Sequence, residues 1–201
     1  MPSGTFYGIT TNPTLAKRAG WTYADAEFDI YFAHAKRLKA KELHIQVFGD
    51  PDGYMDFARR IYALGKSSGV EAVIKVPLVP DALPAAVKIK ALGGKMLMTA
   101  CYDAAQVLIA EALGAEYVAP YLGRMSDLGQ DALAQAQKMQ DSLAGKSCQL
   151  FAASIRSLDL LSDLAASGVP IATISTDLAD QLISNEQSIK AAAQFDLDAK
   201  G

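Results

Sequence analysis

The chain has 201 residues, 51% of them hydrophobic and 20% charged, with a formal net charge of −3 and a pI near 5.4. That balance suits one globular domain over residues 1–201 with ample material for a core, and it gives no electrostatic ground for a nucleic-acid or anionic-membrane partner. No basic, apolar leader opens the sequence and no stretch is long and apolar enough to span a bilayer, so a soluble, cytoplasmic protein is expected.

Short β-rich runs alternate with longer amphipathic ones. In chain order the reading is strand Phe6–Thr11, helix Ala24–Lys39, strand Glu42–Phe48, helix Asp52–Ser67, strand Ala72–Val76, helix Pro80–Leu92 and strand Lys95–Thr99. It continues with helix Asp103–Leu113, strand Tyr117–Tyr121, helix Gly129–Leu143, strand Cys148–Ala153, helix Ser157–Ala166, strand Ile171–Ser175 and helix Thr176–Ser184. Gly69, Gly93, Gly94, Gly114 and Gly168 follow apolar-periodic runs and read as helix ends. Asp103 and Ser157 stand where N-caps belong.

Strict β-α alternation predicts a single α/β domain with a parallel sheet, either a barrel or an open doubly wound sheet. Polar residues close strand after strand: Thr10, Thr11 and Asn12; Gln46; Lys75; Thr99; Tyr121 and Arg124; Ser154 and Arg156. In a (β/α)8 TIM barrel those ends converge on one mouth. A doubly wound sheet would gather them only at its switch point, and no Gly-rich dinucleotide loop follows the first strand. Period-2 alternation puts Val73, Lys75 and Pro77 on one face, Leu97 and Thr99 on one face, and Ala152 and Ser154 on one face, each able to point inward. Ile74, Val76 and Met98 then face the helices. Seven strands are counted where a closed barrel needs eight, so the expectation is a TIM barrel lacking its first β-strand and helix.

Lys75 lies in Glu71-Ala72-Val73-Ile74-Lys75-Val76-Pro77, a run apolar on both faces. A lysine there is paired, snorkelled out of the strand end, or chemically used. Burial favours the neutral amine, which makes it a Schiff-base nucleophile to be weighed against snorkelling. Gln46, Thr99 and Tyr121 can hold a catalytic water. Arg124 and Arg156, with the Ser154 hydroxyl, can bind a phosphate dianion, and their field would help keep Lys75 unprotonated.

The motifs Gly8-Ile9-Thr10-Thr11-Asn12-Pro13, Val73-Ile74-Lys75-Val76-Pro77, Thr99-Ala100-Cys101-Tyr102, Tyr117-Val118-Ala119-Pro120-Tyr121-Leu122-Gly123-Arg124 and Ala152-Ala153-Ser154-Ile155-Arg156 run in one order along the chain. Together they resemble the transaldolase family, and within it the small fructose-6-phosphate aldolase branch. The resemblance implies Lys75 as the Schiff-base lysine, Thr10 and Asn12 on the hydroxyls of a dihydroxyacetone unit, and Arg124, Ser154 and Arg156 on phosphate. Where ordinary transaldolases carry glutamate, asparagine and phenylalanine, this chain has Gln46, Leu97 and Tyr121, the aldolase-type pattern of a Gln-Thr-Tyr water site. Gly123-Arg124 follows the transaldolase pattern instead. The family also implies a phosphorylated sugar substrate, no cofactor, a homo-oligomer, and a first-strand aspartate for proton transfer. No segment here matches that aspartate, which agrees with the strand count. A late start site or a truncation would account for both; Asp50 and Asp177 are the remaining stand-ins.

The expected activity is a metal-independent aldolase or transaldolase that cleaves or transfers a dihydroxyacetone unit. A sugar-phosphate-binding remnant without the aspartate, or a sugar-phosphate isomerase on the same barrel, are the rivals. Metal-ligand spacing is absent from the sequence. Cys101 and Cys148 read as buried free thiols, His34 and His44 as structural, and Lys36, Arg37, Lys39 and Lys41 as a basic helix end.

Overall fold

The structure, a computed structural model, describes residues 3 to 201. Seven strands form one parallel sheet in strict chain order: β1 (Gly8–Thr10), β2 (Glu42–Gln46), β3 (Glu71–Pro77), β4 (Lys95–Cys101), β5 (Tyr117–Pro120), β6 (Gln149–Ala152) and β7 (Ile171–Ala172). All seven predicted strands are present, with ragged ends. Helices α2 (Phe28–Arg37), α3 (Tyr54–Ser68), α4 (Leu83–Lys90), α5 (Val107–Ala112), α7 (Ala132–Ser142), α8 (Leu158–Ala166) and α9 (Thr176–Ile183) match the predicted ones. Three were missed: α1 (Pro13–Arg18), α6 (Leu122–Asp127) and α10 (Glu186–Asp198). The first two are single-and-a-half-turn pieces whose apolar residues are too few to show a period.

Helix ends follow the local chemistry. Asp103 accepts from Ala105 N at 2.7 Å and forms a capping box with Gln106, and Ser157 accepts from Leu160 N at 3.2 Å. Gly69 closes α3 at φ 77°, a left-handed turn open to a residue without Cβ.

Residues on the two sheet faces fall into two separate cores. Leu43, Ile45, Ile74, Val76, Met96, Met98, Val118, Leu150 and Ala152 pack outward among the helices. Val73, Leu97, Tyr117, Ala119, Phe151 and Ala153 form a second cluster inside the curl. For β6 this reverses the phase expected from sequence: Ala153, not Ala152, points inward. Three consecutive small or apolar residues carry no polarity that could set the phase.

The sheet is strongly curled. His44 on β2 lies against Phe151 on β6, ring centroids 5.1 Å apart, and the Tyr117 hydroxyl on β5 reaches Glu42 on β2 at 3.0 Å. In a flat sheet, four steps of about 4.8 Å would put β2 and β6 about 19 Å apart. The architecture is therefore a seven-stranded partial barrel among the described residues, with β1 and β7 at its edges. No described helix is long and apolar enough to cross a membrane. Both cysteines are buried and free, and burial pushes their thiols up to about 11 for Cys101 and about 12 for Cys148.

Candidate active site

Lys75 does not snorkel out. It is 6% exposed, and Nζ donates to Thr10 Oγ1 at 2.9 Å and to the Thr11 carbonyl at 2.8 Å. Burial lowers its pKa from 10.5 to about 8. The arginines expected to assist take no part in that shift: both are exposed at the rim. The two acceptors matter as much as the burial. They occupy two of the amine's hydrogens, so loss of the third leaves the lone pair free to attack. Thr10 thus serves Lys75 directly, and its own hydroxyl hydrogen remains available to a substrate oxygen.

β4 departs from regular pairing just beyond Lys75's level, where the register shifts between Met98 and Cys101 and Ala100 takes φ 59°. Such a bulge re-aims side chains at a strand end. Here Thr99, fully buried, meets the Tyr121 hydroxyl at 2.8 Å. Whichever hydroxyl donates in that pair, the other keeps a hydrogen for a third group. The end of β2 is pinned by a residue that the sequence reading missed: Tyr23 Oη donates to the Gln46 carbonyl and accepts from Gln46 N, each at 3.0 Å. Burial raises the Tyr23 hydroxyl to about 12, so it stays a neutral brace. Gln46 Oε1, in contrast, is buried and has no partner among the described residues.

At the rim, Asn12 is the N-cap of α1, its Oδ1 accepting from Leu15 N at 2.8 Å. Its amide NH2 is what remains for a ligand. Arg124 lies over the Tyr121 ring at 4.5 Å and donates to the Tyr102 hydroxyl at 3.2 Å. Arg156 forms a bidentate pair with Asp127, at 2.7 and 2.6 Å, and through that hydrogen bond holds the Asp127 carboxyl below its ordinary range. Arg156 is thus already partnered, and a phosphate there would share the guanidinium with Asp127.

Gly123 and Ser154 join the two arginine loops. Gly123 N donates to the Ser154 carbonyl at 3.1 Å, and Ser154 takes φ 62°. A Cβ at position 123 would lie 2.2 Å from that carbonyl oxygen and 2.9 Å from Arg156 Nε. Since backbone cannot yield as a side-chain tip does, Gly123→Ala is expected to force the loops apart, lowering stability by about 1–3 kcal/mol. Chemical denaturation would measure the loss; wild-type stability in the variant would mean that these loops are pliant.

A buried cluster that sequence reading did not find lies deeper in the lumen than Lys75, which is level with Gln46. Glu42, 2% exposed, accepts from His44 Nε2 at 2.9 Å, Lys95 Nζ at 2.6 Å and Tyr117 Oη at 3.0 Å. Burial alone would raise the Glu42 carboxyl, but these donors bring it down to about 2. Burial lowers the His44 pKa despite Glu42, keeping the imidazole neutral. His44, near the start of β2, thus lies in the lumen. The cue was its i, i+2 spacing from Glu42 and Gln46 on one strand. Asp50 caps a turn by accepting from Asp52 N, and Asp177 stands exposed in the first turn of α9. Neither is a carboxylate in the lumen. A groove of about 540 Å³ beside α3 includes Lys41, Lys66 and Gly93, away from these groups.

An interior lysine bonded to a threonine hydroxyl near the C-terminal ends of parallel strands fits the arrangement of a β/α-barrel enzyme. The family model for transaldolase/fructose-6-phosphate aldolase matches residues 1–200, and the chain belongs to that family. Among curated relatives, a probable transaldolase of Shouchella clausii is 30% identical over 195 residues, covering 96% of this chain and 86% of that protein. A probable transaldolase of Methanococcus maripaludis is 28% identical over 180 residues, covering 89% and 80%. Solved structures agree in fold alone. They include mandelate oxidase with benzoyl-formic acid, at TM-score 0.53 and 13% identity over 71% of this chain and 51% of that one. The Xanthomonas citri FimX EAL domain in complex with c-diGMP gives TM-score 0.54 and 11% identity over 78% and 69%.

Proposed function

We propose that this chain forms a Schiff base through Lys75 with a ketose phosphate such as fructose 6-phosphate, and cleaves or transfers its dihydroxyacetone unit. The observation that carries this reading is a fully enclosed amine with a pKa near 8, two of whose hydrogens are already fixed by Thr10 and Thr11. Nζ attacks the carbonyl carbon to give a carbinolamine, which loses water to form the iminium. The iminium then takes up the electron pair of the adjacent carbon–carbon bond as the neighbouring hydroxyl loses its proton, releasing glyceraldehyde 3-phosphate. The remaining enamine is protonated, as in an aldolase, or attacks a second aldose phosphate, as in a transaldolase.

Thr99, Tyr121 and the unpartnered Gln46 Oε1 supply a donor-rich and acceptor-rich wall for the water that moves these protons. Their pattern favours the aldolase outcome. Thr10 and the Asn12 amide face the hydroxyls of the three-carbon unit in this reading, while Arg124, Arg156 and Ser154 take the phosphate. The homo-oligomer expected of the family would cover the apolar residues Ile189, Phe195 and Leu197 that α10 leaves exposed. Borohydride with fructose 6-phosphate or dihydroxyacetone should reduce the iminium to a secondary amine on Lys75, seen by peptide mass spectrometry. Absence of that adduct would end the Schiff-base reading.

The phosphate assignment has its own test. Losing one charged donor to a dianion costs about 1.5–3 kcal/mol, so Arg124→Ala should raise KM for fructose 6-phosphate about 10- to 100-fold. Trapping of unphosphorylated dihydroxyacetone should be nearly unchanged. Equal losses on both substrates would remove Arg124 from the phosphate site.

A further inference from the structure

Resting on the Schiff-base reading, a role follows for His44 from the hydrogen-bond inventory of the lumen. The Glu42 carboxylate can only accept, so the Nε2 atom that meets it at 2.9 Å carries the hydrogen. Nδ1 is then a bare acceptor. It is buried, and no described residue donates to it; the same holds for Gln46 Oε1, two residues along the same inward face. The two ring nitrogens of an imidazole point widely apart, so Nδ1 is directed away from the Glu42 level. Two buried acceptors in one lumen suit a molecule with two hydrogens to give, and water is that molecule. Lys75 lies at the level of Gln46, its Cα paired in register with that residue.

We propose that the Glu42-held imidazole of His44 is a proton-relay residue for Lys75, working through one water lodged between His44 Nδ1, Gln46 Oε1 and the amine. The steps balance. The Lys75 ammonium gives a proton to the water oxygen as the water gives one of its own to Nδ1; one Nζ–H bond breaks and one Nδ1–H bond forms. The imidazolium so formed faces ionised Glu42. Nζ then attacks the ketone, and one of its hydrogens passes to the new alkoxide to give the neutral carbinolamine; the same path returns the first proton to the carbinolamine hydroxyl, which leaves as water with formation of the iminium. Nothing is oxidised or reduced and one positive charge is kept throughout. This gives the lumen a proton-handling group on β2, where the resemblance expects an aspartate on a first strand.

The titratable and charged groups that face His44 are Glu42 on its own strand, Lys75 on β3, Lys95 on β4 and Tyr117 on β5, while β6 offers only the Phe151 ring. Tyr117 is pushed up to about 12, chiefly by burial, and so stays neutral in the working range. Any inflection below the Lys75 pKa therefore belongs to the His44–Glu42 pair.

The experiment is the rate of cyanoborohydride trapping of dihydroxyacetone on Lys75 from pH 5.5 to 9, in the wild type, His44→Phe and Glu42→Gln. In Glu42→Gln the new side-chain amide would present NH2 to Nε2, driving the imidazole hydrogen onto Nδ1 and closing the relay while filling the same space. Both variants are expected to form the adduct about 100-fold more slowly at pH 7 and to lose the low-pH inflection. Wild-type rates and profile in either folded variant would overturn the relay and leave the Schiff base standing; no adduct on the wild type would sink both. Should the variants fail to fold, ¹⁵N spectra of the wild-type imidazoles decide, with His34→Gln supplying the assignment. The relay requires a hydrogen on His44 Nε2 and a bare Nδ1, and the opposite tautomer refutes it.

Discussion

Replacing Lys75 by methionine is expected to abolish adduct formation and, at the same time, to make the protein harder to unfold. The second effect follows from the pKa. The folded chain holds the amine at about 8 against 10.5 ordinarily, so at neutral pH folding carries a penalty for keeping a charged amine buried. At about 1.4 kcal/mol per unit the penalty is about 3 kcal/mol. Methionine removes it, at the loss of two hydrogen bonds worth about 1 kcal/mol or less each. The net gain is about 1–2 kcal/mol, or about 3–6 °C in Tm for a chain of this length. The pH dependence carries the sign. Between about 8 and 10.5 the unfolded chain binds the proton that the folded chain has released, so wild-type stability rises with pH through that window. Below it the penalty is complete. The Lys75→Met variant should lose this rise, so the two stability curves should cross between about pH 8 and 10.5, with wild type the more stable above the crossing by its two retained hydrogen bonds. A variant less stable than wild type, with the same alkaline profile, would show that Lys75 is not held as an uncomfortable amine.

Glu42→Ala is expected to be the most damaging single change in the lumen. It leaves the His44 Nε2–H and the Tyr117 hydroxyl buried without a partner, and Lys95 without its carboxylate. Breaking a buried charged network by removing one member costs about 3–5 kcal/mol. Lys95 is about one-third exposed and can turn to solvent, which places the expectation near 3 kcal/mol, about 6–12 °C in Tm. Here the folded pKa is depressed, from 4.5 to about 2. The contribution of Glu42 is therefore complete above pH 4.5 and is lost as pH falls towards 2. Thermal melts of wild type and variant should lie far apart at pH 6 and draw together near pH 2. A constant gap across that range would mean that size, not charge, makes position 42 important.

The strands were readable because parallel, doubly covered β-structure writes itself as short β-branched apolar runs. Val73-Ile74-Lys75-Val76 is the clearest case, and its one charge is also the centre of the site. Rim residues were readable as types but not as partners: nothing in the spacing of Arg156 and Asp127 announces a bidentate pair 29 residues apart. The lumen cluster was hidden for a different reason. Glu42 and His44 stand at the start of a strand, where a polar residue ordinarily means solvent. Only the curl of the sheet, which brings β5 and β6 across to β2, makes that position interior. The β6 phase was illegible because Ala152 and Ala153 are the same residue. α1 was missed because it is too short to show a period; its one local cue was Asn12-Pro13, a cap followed by a proline at the first turn.

Strict chain order in the sheet has a kinetic consequence. Every strand pairs with its neighbour in sequence, so the sheet can grow one βα unit at a time with short loop closures. The contacts that make the lumen are of another kind: Lys75 meets Thr10 across 65 residues, and Tyr117 meets Glu42 across 75. These are expected to close late, because they join segments far apart in the chain and need the curl of the sheet. A chain with all its strands paired but its curl unfinished would hold Lys75 in water, with the titration of any surface amine. By this topology the capacity to react is expected to arrive late in folding, after the strands have paired.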